Sequence, residues 1–392
     1  MPGITMRTNK MTRRKLLIAV TTTLTVLALS LCGWVYKAKT QHDMNMKLLG
    51  AVRKNDIEAV QSLLAHGADP NIRDVPDKHL SLWQQIRYAF RWDKQESYDL
   101  FAPQKPTALE LALTSKLMPG DISYVPRENV SIVKALLEAG AHPDDTTEND
   151  SNENETPLMS AVRNNWLQTV RLLLDHGANP LAHDTEGRIP IHFISDELLG
   201  VVQGDQLAIA RLLVERGNDV NAVDNSGCTP LMTNIGAQCD IPVLRYLLSK
   251  GANINARSKE GESALLTATD SEYEAAAKVL VERGAEVNVT DEFKNTPLHI
   301  CVDRGLLPIG EMLLSHGAKV DSSTIHGDTP LTVSIAEQDF SDSDIQYMVK
   351  LLIGHGADVN HRNKDGDTPL SLARKQNRRG TVRVLLNAGA KR

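Results

Sequence analysis

Apolar positions recur along this chain in one phrase. Two large aliphatic residues close a short helical run, two residues follow, and a glycine ends it, as in LLAHGADPN, LLDHGANP, LLSKGANIN and LVERGAEVN. The phrase closes on Gly67, Gly140, Gly177, Gly217, Gly251, Gly284, Gly317, Gly356 and Gly389. The pairs Leu63 with Leu64, Leu136 with Leu137, Leu173 with Leu174, Leu247 with Leu248, Leu313 with Leu314 and Leu385 with Leu386 each stand one turn after another apolar position. That spacing draws an inward stripe on a helix too short to hold together alone. Each run therefore predicts a helix stopped by a glycine in the left-handed cap, and the repetition predicts stacked units around one shared core.

A second landmark, T-P-L or a close relative, begins at Thr107, Thr156, Ile189, Thr229, Ser263, Thr296, Thr329 and Thr368. A hydroxyl followed by proline opens a helix, because the oxygen caps free amides and proline has no amide to lose at the first helical position. From Gly177 onward the landmark follows each glycine after 12 residues, and the unelaborated return takes 21, which sets a period of 33. The words TPLHICVDRG, DNSGCTPLM and NKDGDTPLSLA closely resemble the ankyrin repeat, across roughly residues 45–392. The resemblance implies an all-α solenoid of about nine helix-turn-helix units.

It also implies a non-catalytic scaffold or inhibitor that grips a protein partner with its loop tips and first helices. Carried onto this sequence, it selects Arg188, Arg257, Glu260, Phe293, Ile325, His326 and Arg362 as partner-binding residues. Phe293 and Ile325 stand out among them, since an apolar loop tip has little structural reason to be exposed. His192 and His299 fill the fourth place of T-P-L-H, where the resemblance implies an imidazole tying neighbouring loops together. His66, His176, His316 and His355 all precede a closing glycine, and such recurrence at one place argues for service to the stack.

The period is broken by insertions near 74–102, 116–128, 144–155, 196–205 and 337–344. The first is rich in aromatics, and in SLWQQIRYAFRW the residues Leu82, Trp83, Ile86, Ala89 and Phe90 share one helical face. Trp83, Ile86, Phe90 and Trp92 are therefore candidates for a partner or a membrane interface, against the plainer reading of a helix that caps the first repeats. The segment DDTTENDSNENE carries six acids and no base, which predicts a solvated loop.

At the amino end, residues 16–36 run 21 positions without a charge behind a basic tail, 1–15, that holds Arg7, Lys10, Arg13, Arg14 and Lys15. This predicts a single-pass signal anchor with its amino end in the cytoplasm and the repeats exported, in a bacterial setting to the periplasm. The alternative is a cleaved signal peptide, with Ala28 and Ser30 at the small positions of a cleavage site. A lipidated Cys32 fits less well, because Leu31 stands where such signals want a small residue.

The formal charge is -6 overall, and the five positive charges of the tail leave -11 for the remainder, a surface that repels phosphate backbones. No nucleic-acid partner is expected. Four cysteines make no disulfide framework and show no metal spacing. No phosphate loop, dinucleotide fingerprint, zinc-protease helix or nucleophile elbow occurs, so no cofactor, metal, small-molecule substrate or catalysis is expected. An enzyme built on the aromatic insertion, with the repeats recruiting substrate, is the rival of a different class. It lacks a visible acid, base or nucleophile cluster.

Overall fold

Threonine hydroxyls open the first helices as the landmark predicts. Thr156, Thr296 and Thr368 each accept from the backbone amide three residues on, at 3.2, 3.4 and 3.2 Å, and proline follows each of them. At the other end, the nine closing glycines all lie at φ between +86° and +96°, a region that strains any residue with a Cβ. In this computed structural model the described residues are 8–73, 106–113, 128–149, 152–194, 205–237, 239–336 and 340–391; the side chains of 8–20, 23–24 and 26–28 are outside the description. The insertions at 74–102, 116–128 and 196–205 lie almost wholly outside it, and with them Trp83, Ile86, Phe90 and Trp92.

The chain forms two compact units, one of 1–120 with 127–151 and one of 121–126 with 152–392. The first holds α1 (Thr8–Arg53), α2 (Ile57–Ala65), α3 (Ala108–Leu113) and α4 (Val130–Glu138). Its core is Leu48, Leu49 and Val52 of α1, Val60 of α2, Leu109 and Leu113 of α3, and Ile132, Val133 and Leu136 of α4. The second unit pairs α5 (Pro157–Arg163) with α6 (Leu167–Asp175), then a short 3-10 helix (Pro190–Phe193) with α7 (Gln206–Glu215), and α8 (Pro230–Ala237) with α9 (Ile241–Ser249). It continues with α10 (Ala264–Asp270) and α11 (Glu274–Glu282), α12 (Pro297–Asp303) and α13 (Leu307–Ser315), α14 (Pro330–Ala336) and α15 (Asp342–Gly354), and α16 (Pro369–Lys375) and α17 (Arg379–Asn387). Leu173, Leu213, Leu247, Leu280, Leu313, Leu352 and Leu385 are sealed inside it. Each such side chain contributes about 1.5 to 3 kcal/mol by leaving water. The fold is the helical repeat solenoid expected, with two short strands among the described residues, β1 (Thr147–Asn149) and β2 (Asn152–Glu155).

Three features depart from the sequence reading. The repeats were expected to begin near residue 45, after a separate apolar segment. Instead α1 runs unbroken for 46 residues, and its last turns are the first helix of the first repeat. No proline stands between residues 37 and 53 to end it. Gln41 Nε2 donates to the Gly67 carbonyl at 2.7 Å, and Asn45 Oδ1 accepts the Asp69 amide at 2.9 Å, so the helix is fastened to the loop after α2. Among the described residues no helix is long and apolar enough to cross a membrane; many of the side chains of 16–36 fall outside them.

Of the insertion at 337–344, the described end opens a helix rather than a loop, with Asp342 as the first residue of α15. Ser341 caps α15 through the Asp344 amide, and Asp342 turns its carboxylate onto the start of α17. There it accepts the Gly380 amide at 3.0 Å, the Thr381 amide at 3.3 Å and the Thr381 hydroxyl at 2.7 Å. Burial raises the pKa of this carboxyl, but those bonds and nearby Arg378 outweigh it and hold it below the ordinary value. Gly380 leaves the room this needs, since a Cβ there would meet Asp342 and Gln346. Finally, the acidic segment read as solvated ends in a buried residue. Glu155 accepts from Arg163 at 2.6 Å and from the Ser160 hydroxyl at 2.8 Å.

Candidate functional site

The second unit presents a row of loop tips, each ahead of a first helix. The loops Asp184–Arg188, Asp224–Cys228, Ser258–Glu262, Asp291–Asn295, Thr324–Asp328 and Asn363–Asp367 are each closed by an amide of the first residue donating to the carbonyl of the last, at 2.9 to 3.1 Å. Side-chain oxygens of Asp184, Asp224, Asp291 and Asn363 accept the returning amide, the local bond that suits Asp and Asn to turns. Neighbouring tips are laced by backbone bonds: Asn225 to Glu186 and Lys259 to Ser226 at 2.8 Å, Ile325 to Phe293 at 2.9 Å, and Lys364 to His326 at 3.0 Å. Backbone bonding of this kind holds the tips in register before any partner arrives, which lowers the ordering cost of binding.

The loop-tip residues selected from the sequence fall into three groups. Phe293 is 53% exposed, and its carbonyl receives the amide of half-buried Ile325, so the two apolar tips are adjacent. Glu260 and His326 are exposed beside the same row. Arg257 and Arg362 are exposed but engaged, Arg257 donating to the Thr290 carbonyl and Arg362 to that of Gly366 at 3.0 Å. Arg188 is absorbed into the fold. It pairs with Asp184 at 2.7 Å and Glu186 at 3.1 Å, and its guanidinium lies 4.6 Å from the centre of the Phe193 ring, with Arg163 at 4.7 Å.

Electrostatics on this side are negative in places. Burial raises the Glu262 carboxyl, and the carboxylates of Glu260 and Asp270 raise it further. The Cys228 thiol is pushed up to about 11 by burial and by Asp224, Glu262 and Glu260. Cys301 is sealed and pushed up to about 12 by burial, which makes it an inert small hydrophobe. An open hollow of about 290 Å³ lies between Asp303, Asp328, Asp365 and Asp367 over a floor of Val333, Ala336 and Leu372. Lys375 already sits on Asp367 at 2.6 Å. Among the described residues no group of His, Cys, Asp and Glu could hold a metal ion.

The histidines serve the stack. The His299 ring nitrogen Nδ1 accepts the Thr296 amide at 3.1 Å while Nε2 donates to the Asp328 carbonyl of the next loop at 3.1 Å. His192 does the same between the Ile189 amide and the Ala222 carbonyl, at 3.2 and 3.3 Å. Both need the neutral ring protonated on Nε2, and burial lowers both pKa values below the ordinary one. His66, His176 and His316 turn Nδ1 to the carbonyl four residues back, at 2.6, 2.9 and 2.8 Å. In the first unit the fourth place is taken by Glu110, which accepts the Thr107 amide while Thr107 Oγ1 accepts the Glu110 amide at 3.2 Å, a capping box. Burial pushes this carboxyl up to about 7.

One recurring device went unread in the sequence. The asparagine four residues after a closing glycine, as in GADPN, GNDVN, GAEVN and GADVN, spans to the next repeat. Asn221 accepts the Asn253 amide at 2.7 Å and donates to the Gly251 carbonyl at 3.0 Å. Asn71 does so with His142 and Gly140, Asn288 with Lys319 and Gly317, and Asn360 with Lys391 and Gly389. The signal was the asparagine itself, visible in LLAHGADPN and LLSKGANIN four residues after each glycine.

Profiles of the family described as "Ankyrin repeats (3 copies)" match residues 123–197, 198–291 and 298–391, and the single-repeat profile "Ankyrin repeat" matches 48–75. Among curated relatives, the B-cell lymphoma 3 protein homolog of Mus musculus is 28% identical over 210 residues, 44% of this chain and 46% of that protein. The putative ankyrin repeat protein FPV031 of Fowlpox virus (strain NVSL) is 30% identical over 145 residues, 37% of this chain and 40% of that protein. The chain thus spans under half the length of each. The human ASB11 ankyrin repeat domain, a crystal structure, matches at a TM-score of 0.51 and 22% identity, over 61% of this chain and 100% of that one. With its 33-residue period, capped helix pairs and profile matches through most of its length, this chain belongs to the ankyrin repeat family.

Proposed function

We propose that this protein is a membrane-tethered, non-catalytic interaction scaffold that binds a protein partner through the loop tips of its second unit, centred on Phe293 and Ile325. The observation that carries the reading is the Phe293 ring, more than half exposed at the tip of a loop closed by its own backbone bonds and tied to the next tip through Ile325. A large apolar side chain left more than half exposed on a pre-ordered tip suits a binding anchor. Exposed Glu260, His326, Arg257 and Arg362 supply a polar rim. The repeat architecture supports binding over catalysis, because a stack of loops offers an extended surface and no enclosed pocket.

The tether is residues 16–36, with the basic tail inside and the repeats exported, a reading that rests on the uncharged run and on the positive charges before it. Two measurements test the proposal. Phe293→Ala combined with Ile325→Ala is expected to weaken capture of the partner at least about tenfold, near 1.4 kcal/mol, with the melting midpoint unchanged. Undiminished capture removes these tips from the site. Protease added outside the cytoplasmic membrane is expected to digest the repeats of the intact protein, and protection until that membrane is permeabilised would reverse the orientation.

A further inference from the structure

In the first unit, the end of the uncharged run and the start of the repeat fold lie on the same helix, almost without an interval. Tyr36 is the last residue of the run, and Leu29, Leu31 and Tyr36 are all exposed on α1. Gln41 is already bonded to the Gly67 carbonyl, and Asn45 to the Asp69 amide. From Tyr36 to Gln41 is five residues, about 7.5 Å of helix. Lys37 and Lys39, both exposed, fill that step, and lysine stems reach readily to lipid phosphates at a membrane boundary. A few residues on, Leu48 and Leu49 are fully buried in the core of the first repeat. The helix has no proline there, and Asn45, Leu48, Leu49, Ala51 and Val52 seat its last turns.

From these observations, and resting on the anchor reading above, we infer that the first unit is clamped directly onto a lipid surface, with the loop around Gly67 and Asp69 in the headgroup layer. The occupant of that loop face is the bilayer itself. Two hydrogen bonds, one given by Gln41 and one accepted by Asn45, set the distance, because they fasten the loop to the helix within about two and a half turns of the apolar run. A flexible tether would let the repeats swing clear of the membrane; a continuous helix with a clamped loop holds the loop edge at Gly67, level with Gln41, within about 10 Å of it.

The test uses the full chain in lipid nanodiscs whose headgroups carry a spin label. The four native cysteines are replaced, and a fluorophore is placed by Ala65→Cys at the exposed end of α2, two residues before Gly67. A second protein carries the same label and a six-residue Gly-Ser insertion between Lys37 and Ala38, which leaves the whole clamp intact but frees it from the apolar run. The expected result is strong quenching in the first protein and loss of most of it in the second. Incorporation of both proteins with equally weak quenching overturns the apposed loop and leaves the anchor standing. Failure of either to incorporate overturns the anchor itself, and the clamp with it.

Discussion

Glu110 of the first unit and His299 of the second occupy the same place in their repeats, the fourth of the T-P-L landmark, and both receive the amide that opens the helix. They respond to burial in opposite senses. Burial raises the Glu110 carboxyl to about 7 and lowers the His299 imidazole. In each case the buried site favours the neutral form, which is an acid that has kept its proton in one repeat and a base that has refused one in the other. The histidine also reaches onward, its second nitrogen donating to the Asp328 carbonyl of the next loop. One geometric slot therefore makes opposite pH-dependent contributions through Glu110 and through His299.

The comparison assumes that both units are packed alike, and the largest effects test that. Leu136 of α4 and Leu280 of α11 are both fully buried, so Leu136→Ala and Leu280→Ala should each cost about 2 to 5 kcal/mol in urea titration, while Glu260→Ala at a loop tip stays within about 0.5 kcal/mol. A small loss at Leu136 alone would show a looser first unit and void the comparison.

Next come the two titrations. Glu110 has a raised pKa, so its contribution is complete below the unfolded value of 4.5 and is lost as pH rises through about 7. Glu110→Gln keeps an oxygen for the Thr107 amide and should stabilise the first unit by on the order of 1 to 3 kcal/mol at pH 8, a gain that fades toward pH 4.5. His299 has a lowered pKa, so its contribution is complete above 6.5 and is lost as pH falls through its folded value. His299→Leu should therefore cost most at pH 8 and less in acid. Unfolding curves of the two variants that move the same way with pH would break the contrast.

The smallest effect concerns a tip. Lys294 sits at φ +62° where Gly187, Gly227, Gly261, Gly327 and Gly366 stand in the other loops at +74° to +81°. Lys294→Gly should raise stability by about 0.5 to 1 kcal/mol, read as a higher urea midpoint. No gain would mean that the lysine has a compensating contact.

The repeat frame was legible because its signals are local. A glycine that must be left-handed and a threonine that must cap announce themselves in single residues. The course of α1 was less legible, since an apolar run and a repeat helix were two patterns of different origin, and only the lack of a breaker between them said they were one element. The same holds for 337–344, where S-D-S-D is a capping sequence that reads as a polar loop until Asp342 is seen against α17. At the loop tips, exposure of Phe293 followed from its place in the repeat, against its apolar chemistry. Arg188 did not, because its partners Asp184 and Phe193 meet it only once the loop has closed. Glu155 was hidden in the same way, its partner lying a helix away from an otherwise acidic stretch.

The asparagine clips carry a consequence for how the stack comes apart. Asn71, Asn221, Asn288 and Asn360 each both accept and donate across their boundary, but at 321 the place is held by Asp321, which accepts the Asp358 amide at 2.9 Å and has no hydrogen to give. That boundary is a seam sewn with one stitch in place of two, and the last repeats are set to peel from it first, with amides beyond residue 358 exchanging hydrogen ahead of those in the interior. An asparagine that deamidates elsewhere would copy the same seam, turning a donor toward a carbonyl into a second oxygen facing it.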